Sequence, residues 1–180
     1  FNVLLLGYGD IGSAIANSIS SIGYNIFAWK KNKNNNKHNV NVKFYYGDQG
    51  LNSALRNSDI VISTLPSTKE TFNLLNAKRF YHFKKGSYLI NIGRGSTVNE
   101  KDLLLAIQKG ILAGVVLDVF NNEPLLADSA LWSNPKVIIT PHIGGLTKAS
   151  KENAKLIVNN CNRAKQKIGL LSEVNIKRGY

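Results

Sequence analysis

The sequence predicts an α/β fold built on a doubly wound parallel sheet, and two observations carry that expectation. Short apolar runs alternate along the chain with segments whose apolar residues recur at helical spacing. Glycines and polar turn residues fall where those segments end. Crossovers between parallel strands are right-handed, so helices cover both faces of such a sheet. Its ligands bind outside the carboxyl ends of the strands. The residues just after each strand are therefore the ones to read for chemistry.

Val3, Leu4, Leu5 and Leu6 form a short run suited to a buried strand and stopped by Gly7. Residues 11–22 place Ile11, Ala14, Ile15, Ile19 and Ile22 at helical spacing, and Gly23 ends them. A second strand is expected over 25–29. Residues 30–41 are polar and asparagine-rich without periodicity, so they read as a loop. Further strands are expected over 42–46, 60–62, 88–92, 113–119 and 137–140. Helices are expected over 51–56, 76–83, 100–109 and 147–168, with a tail over 172–180. No internal repeat interrupts the alternation.

A length of 180 residues and an apolar content of 43% suit one sizeable core, with room for a small appendage. No apolar run approaches the roughly 20 residues that span a bilayer, so no membrane partner is expected. Cys161 is the single cysteine and cannot form an internal disulfide, in keeping with a reducing cytoplasmic setting. The net charge of +12 would attract anions. The lysines are scattered, with few aromatics between them, so the charge reads as solvated faces rather than a nucleic-acid surface.

Gly7-Tyr8-Gly9-Asp10-Ile11-Gly12 follows the first strand and opens the first helix, the context that makes a GxGxxG turn a dinucleotide-binding signal. Gly7 allows the tight turn, Gly9 lets a pyrophosphate approach, and Gly12 lets helix and strand pack closely. Asp10 and Ile11 bring the free N–H groups of the helix start to the same place. This is a Rossmann-type cradle for NAD(P). NAD-specific turns place an acid about 20 residues on, where it holds the ribose 2′-hydroxyl. Here Lys30 and Lys31 stand there instead. Lysines attract a 2′-phosphate, so NADP (as NADPH) is the expected cofactor, with NAD as the alternative.

Three polar residues follow later strands. Arg94 lies in Asn91-Ile92-Gly93-Arg94-Gly95, Glu123 lies just before Pro124, and His142 lies in Pro141-His142-Ile143-Gly144-Gly145. An arginine grips a carboxylate and polarises a keto oxygen. A histidine gives a proton to a developing alkoxide, and a carboxylate partner fixes its tautomer. The trio suits reduction of a 2-keto acid by hydride transfer. A nucleotide- or RNA-binding module on the same scaffold would not need it. His38 and His82 lack this context. No His/Cys/carboxylate spacing marks a metal site.

Together these segments resemble the D-isomer-specific 2-hydroxyacid dehydrogenases, and most closely their glyoxylate/hydroxypyruvate reductase branch. The matching stretches also include Leu65-Pro66-Ser67-Thr68, Leu117-Asp118-Val119-Phe120 and Thr140-Pro141-His142. The resemblance implies that Arg94 binds the substrate carboxylate and keto oxygen, His142 is the general acid/base, and Glu123 is its partner. It implies that Asp118 holds the nicotinamide carboxamide. Leu65, Pro66 and Thr71 would line the cofactor cleft, joined by Ile92, Gly93, Gly144 and Gly145. It further implies a homodimer formed largely through this domain. The NAD-dependent phosphoglycerate and lactate dehydrogenases are the alternative within the family. Residues 1–150 are expected to form the cofactor domain and 151–180 to belong to a substrate domain whose front part this sequence lacks. Without that part, the chain is expected to bind cofactor and turn over slowly.

Overall fold

A computed structural model describes residues 1–33, 41–145 and 151–174. Its strands are β1 (Asn2–Leu6), β2 (Asn25–Lys30), β3 (Val42–Tyr46), β4 (Ile60–Ser63), β5 (Ser87–Asn91), β6 (Leu112–Leu117) and β7 (Val137–Ile139). The helices are α1 (Asp10–Ser20), α2 (Gly47–Arg56), α3 (Ala77–Phe80), α4 (Glu100–Gln108) and α5 (Lys151–Lys165). The seven strands form one sheet in the order β3-β2-β1-β4-β5-β6-β7, and every pairing is parallel. This is the doubly wound arrangement that the alternation predicts.

β1 is an interior strand, third from one edge of the sheet. Val3, Leu4, Leu5 and Leu6 are all buried. Complete burial of one leucine side chain contributes roughly 1.5–3 kcal/mol, so this run anchors both neighbouring strands. β1 pairs with β2 on one side (Leu5 opposite Ala28) and with β4 on the other (Leu5 opposite Ile62). The chain runs outward through β2 and β3, then returns to β4 across β1. The strand order therefore reverses beside β1, and the crevice of a doubly wound sheet opens at such a reversal.

The strand alternation feeds two cores. Leu4, Leu6, Val61, Leu89, Val115 and Leu117 join the larger one, with Leu103, Ala106 and Ile107 of α4. Leu5, Ile26 and Ala28 join Ala16 of α1 and Tyr8 in the smaller one. The chain divides into two compact units, Phe1–His142 and Ile143–Tyr180. The second contains α5, and the expected helix start at 147 lies outside the described residues, as does most of the expected loop over 30–41. Among the described residues no helix is long and apolar enough to cross a membrane.

Several element bounds differ from expectation for local reasons. Gly47, at φ +63°, turns the chain straight from β3 into α2, which therefore begins four residues before Leu51. α3 is only four residues long. The Asn76 side chain caps it by accepting from the Arg79 N–H at 3.2 Å, and the Asp102 carboxylate takes the Ala77 N–H at 2.8 Å. Two capping contacts and the burial of Phe80 and Phe83 hold a segment too short to be helical on its own.

Candidate active site

The glycine turn is shaped by contacts that exclude side chains at two positions and leave a third open. Gly7 has φ +92°, and its N–H donates to the Trp29 carbonyl at 3.1 Å. A Cβ on Gly7 would lie 2.9 Å from Thr64 Oγ1, and one on Gly12 would lie 2.4 Å from the Gly7 carbonyl oxygen. A Cβ on Gly9 would meet nothing within 4 Å. Gly9 is the N-cap of α1, and no side chain caps that end. Asp10 and Ile11 are exposed at the helix start. The turn thus presents uncapped N–H groups beside open space, which is what a pyrophosphate requires. Thr64 fixes its other wall, its hydroxyl donating to the Leu6 carbonyl at 3.1 Å.

The second strand ends beside this turn. Lys30 is the last residue of β2, and its ammonium lies 5.9 Å from the ring centroids of both Tyr8 and Phe44. Lys31 pairs with Glu70, both side chains being more than half exposed. The Lys31 carbonyl accepts from the Gly47 N–H at 3.1 Å, so its backbone is fixed. On the far side of β1, Leu65 is buried and Pro66 half-buried. The Thr71 hydroxyl donates to the Pro66 carbonyl at 2.6 Å and accepts from the Thr68 N–H at 2.9 Å. Thr71 thereby closes its own loop.

Arg94 is held by its neighbours' lack of side chains. A Cβ on Gly93 would lie 2.5 Å from the Leu65 carbonyl oxygen, and one on Gly95 would lie 2.0 Å from the carbonyl carbon of Phe120. The loop after β5 is therefore packed between those after β4 and β6. The fully buried Asn91 accepts from the Gly93 N–H and donates to the Arg94 carbonyl, both at 3.2 Å. The Ile92 N–H donates to the Ser63 carbonyl at 3.1 Å. The Arg94 side chain is exposed, with Nη1 donating to the Gly93 carbonyl at 2.7 Å.

Glu123 and His142 meet directly. His142 Nδ1 lies 2.7 Å from Glu123 Oε2, with both side chains partly exposed. Glu123 Oε1 accepts from the Phe120 N–H at 3.0 Å. The Phe120 N–H holds the Glu123 carboxyl below the usual glutamate range, helped by the His142 hydrogen bond and by the charges of His142 and Arg94. An ionised carboxylate only accepts, so Nδ1 carries the proton and Nε2 is the nitrogen left for chemistry. The backbone of His142 is itself left-handed, at φ +54°, and its N–H donates to the Thr140 carbonyl at 3.1 Å. Thr140 Oγ1 also donates to the buried Asp118 carboxylate at 2.5 Å. The Asp118 N–H donates to the Asn91 carbonyl at 3.0 Å.

The ends of β5, β6 and β7 are thus stitched together, and they bring Arg94, Asp118, Glu123 and His142 to one edge of the sheet. The glycine turn and Lys30 lie along that same edge. Gly144 and Gly145 fall in the second compact unit and are exposed. Among the described residues no group of three or more His, Cys, Asp or Glu side chains is placed to hold a metal ion.

Residues 2–144 match the NAD binding domain of D-isomer specific 2-hydroxyacid dehydrogenases. The chain belongs to this family. Over all 180 residues it is 34% identical to a glyoxylate/hydroxypyruvate reductase A of Escherichia fergusonii, covering 56% of that protein. A Salmonella newport protein of the same name is 32% identical over the same span. The chain spans little more than half the length of these curated relatives. Among solved structures, a D-isomer specific 2-hydroxyacid dehydrogenase of Xanthobacter autotrophicus, in complex with NADPH and MES, aligns with TM-score 0.93 at 34% identity. That alignment covers the whole of this chain and 73% of the other. An NADPH-dependent glyoxylate/hydroxypyruvate reductase of Sinorhizobium meliloti, in complex with NADP and sulfate, aligns with TM-score 0.87 at 28% identity. It is covered to 57%, and this chain to 99%.

Within this family architecture, sequence reasoning passed over three residues that shape the site. Thr64, Asn91 and Thr140 each end a strand, or follow one directly, and use a hydroxyl or amide to tie neighbouring loops. A short polar residue closing an apolar run was the available signal.

Proposed function

We propose that this chain is the cofactor-binding and catalytic portion of an NADPH-dependent reductase of small 2-keto acids, of the glyoxylate and hydroxypyruvate kind. The hydrogen-bonded Glu123–His142 pair, lying within the electrostatic reach of Arg94, is the observation that carries this reading. The open Gly9 position and the uncapped start of α1 fit a dinucleotide pyrophosphate. Lys30 and Lys31, standing where NAD-specific turns carry an acid, fit a 2′-phosphate. Relatives crystallised with NADPH and NADP support the same choice.

In this mechanism bound NADPH supplies the hydride. The chain's own residues do the rest. The Arg94 guanidinium pairs with the carboxylate of the keto acid and polarises its keto oxygen. His142 donates a proton from Nε2 as charge develops on that oxygen. Glu123 holds the ring by Nδ1 and stabilises the imidazolium from which that proton leaves, and which re-forms when the cycle runs in reverse. Asp118, which accepts from the Thr140 hydroxyl, would orient the nicotinamide amide.

NADPH and NADH titrations of the chain test the cofactor half of this reading, and tighter binding of NADH would overturn it. Keto-acid-dependent NADPH oxidation tests the other half. Arg94→Ala should raise KM and lower kcat together. An Arg94→Ala protein with unchanged KM for glyoxylate and hydroxypyruvate would remove Arg94 from the mechanism.

A further inference from the structure

The strand order places the end of β2 and the loop after β4 on opposite sides of β1, so a bond between them joins the two loops that flank it. The Lys31–Glu70 ion pair is such a bond. Both of its backbones are fixed. Lys31 accepts from the Gly47 N–H, and Glu70 sits in a turn closed by the Phe72 N–H on the Thr68 carbonyl at 2.9 Å and by the Thr71 hydroxyl. Lys30, by contrast, faces the rings of Tyr8 and Phe44.

We propose that Glu70 is a specificity-determining residue: its carboxylate occupies Lys31 as an internal counter-anion and limits the preference of this site for a 2′-phosphorylated dinucleotide. The inference rests on the proposed role of Lys31 toward the 2′-phosphate. A phosphate monoester carries roughly −1.5 to −2 charge at neutral pH. To reach Lys31 it must replace the Glu70 carboxylate and then stay near a displaced anion. Both effects oppose NADPH. Neither opposes NADH, whose neutral 2′-hydroxyl leaves the ion pair in place. Exposed Lys–Glu pairs are weak, so the expected effect is a modulation and not a block.

Direct binding titrations of NADPH and NADH decide the matter, using the 180-residue chain and its Glu70→Gln, Lys31→Ala and doubly substituted variants. Glu70 is exposed, and Gln keeps its shape, so the fold is preserved. Glu70→Gln should tighten NADPH about 3- to 10-fold and leave NADH within twofold. Lys31→Ala should weaken NADPH selectively. In the Lys31→Ala background the gain from Glu70→Gln should shrink. If Lys31→Ala weakens NADPH but Glu70→Gln leaves both affinities unchanged, the counter-anion role fails and the Lys31 assignment stands. If Lys31→Ala leaves NADPH unchanged, the Lys31 assignment fails and takes this proposal with it. Equal tightening of NADPH and NADH by Glu70→Gln would also overturn it, since that is a general charge effect.

Discussion

Gly95→Ala puts the packing of the arginine loop under direct test. The added Cβ would sit 2.0 Å from both the carbonyl carbon and oxygen of Phe120, against an ordinary contact of 3.4 Å or more. The loops after β5 and β6 must separate by about 1.4 Å to admit it, if the motion is along that line. The obstruction is backbone, so no side-chain rotation relieves it. Overpacking of this kind costs about 1–3 kcal/mol. Replacing glycine by alanine recovers roughly 0.4–1 kcal/mol by restricting the unfolded chain. The net loss of roughly 1–2 kcal/mol should lower Tm by about 2–8 °C. The functional cost should be larger. Arg94 precedes Gly95, while Phe120 holds Glu123, so the separation moves the guanidinium away from the His142 pair. Displacements near 1 Å at a reacting centre cost on the order of 100-fold. Thermal unfolding and keto-acid-dependent NADPH oxidation read the two effects. A Gly95→Ala protein with unchanged Tm and unchanged rate would refute the packing described here.

Two substitutions in the glycine turn should separate binding from stability. Gly9→Val meets open space, so it should leave Tm within a few degrees and abolish saturable NADPH binding. Gly12→Ala would press on the Gly7 carbonyl at 2.4 Å, so calorimetry should show a clear destabilisation even without cofactor. The Glu123 carboxyl titrates below its unfolded value, so its contribution to stability is full above the ordinary carboxylate range. That contribution is lost as pH falls through the depressed value. Urea unfolding should therefore show wild type losing its advantage over Glu123→Gln on the acid side. A constant difference from neutral to acid pH would remove the Glu123 interactions from the stability account.

Much of this arrangement is written locally in the chain. The run from Val3 to Leu6 before Gly7, and the repeated alternation after it, carry the sheet. The glycine turn and the strand-end positions of Arg94 and His142 fall at the carboxyl edge of the sheet, the ligand edge of a doubly wound fold. What the sequence concealed depends on distant partners. Gly93 and Gly95 read as ordinary turn glycines until Leu65 and Phe120 are placed against them. Thr64 gains its meaning from Leu6, 58 residues earlier. Glu70 gains its meaning from Lys31, which the fingerprint marks, while Glu70 itself lies in no recognisable motif. The brevity of α3 was hidden for a similar reason: apolar spacing shows which side chains point inward, while Asp102 on another helix decides where the turn is capped.

The central claim is that the paired imidazole at the sheet edge gives a proton to a keto acid beside NADPH. A single-turnover measurement tests it most directly, with the chain in excess over NADPH and with glyoxylate or hydroxypyruvate added. The expected result is NADPH consumption that requires the keto acid and falls roughly 10²–10⁴-fold in His142→Ala, with NADPH affinity unchanged. Consumption at the same rate in both proteins, or with no dependence on the keto acid, would contradict the account.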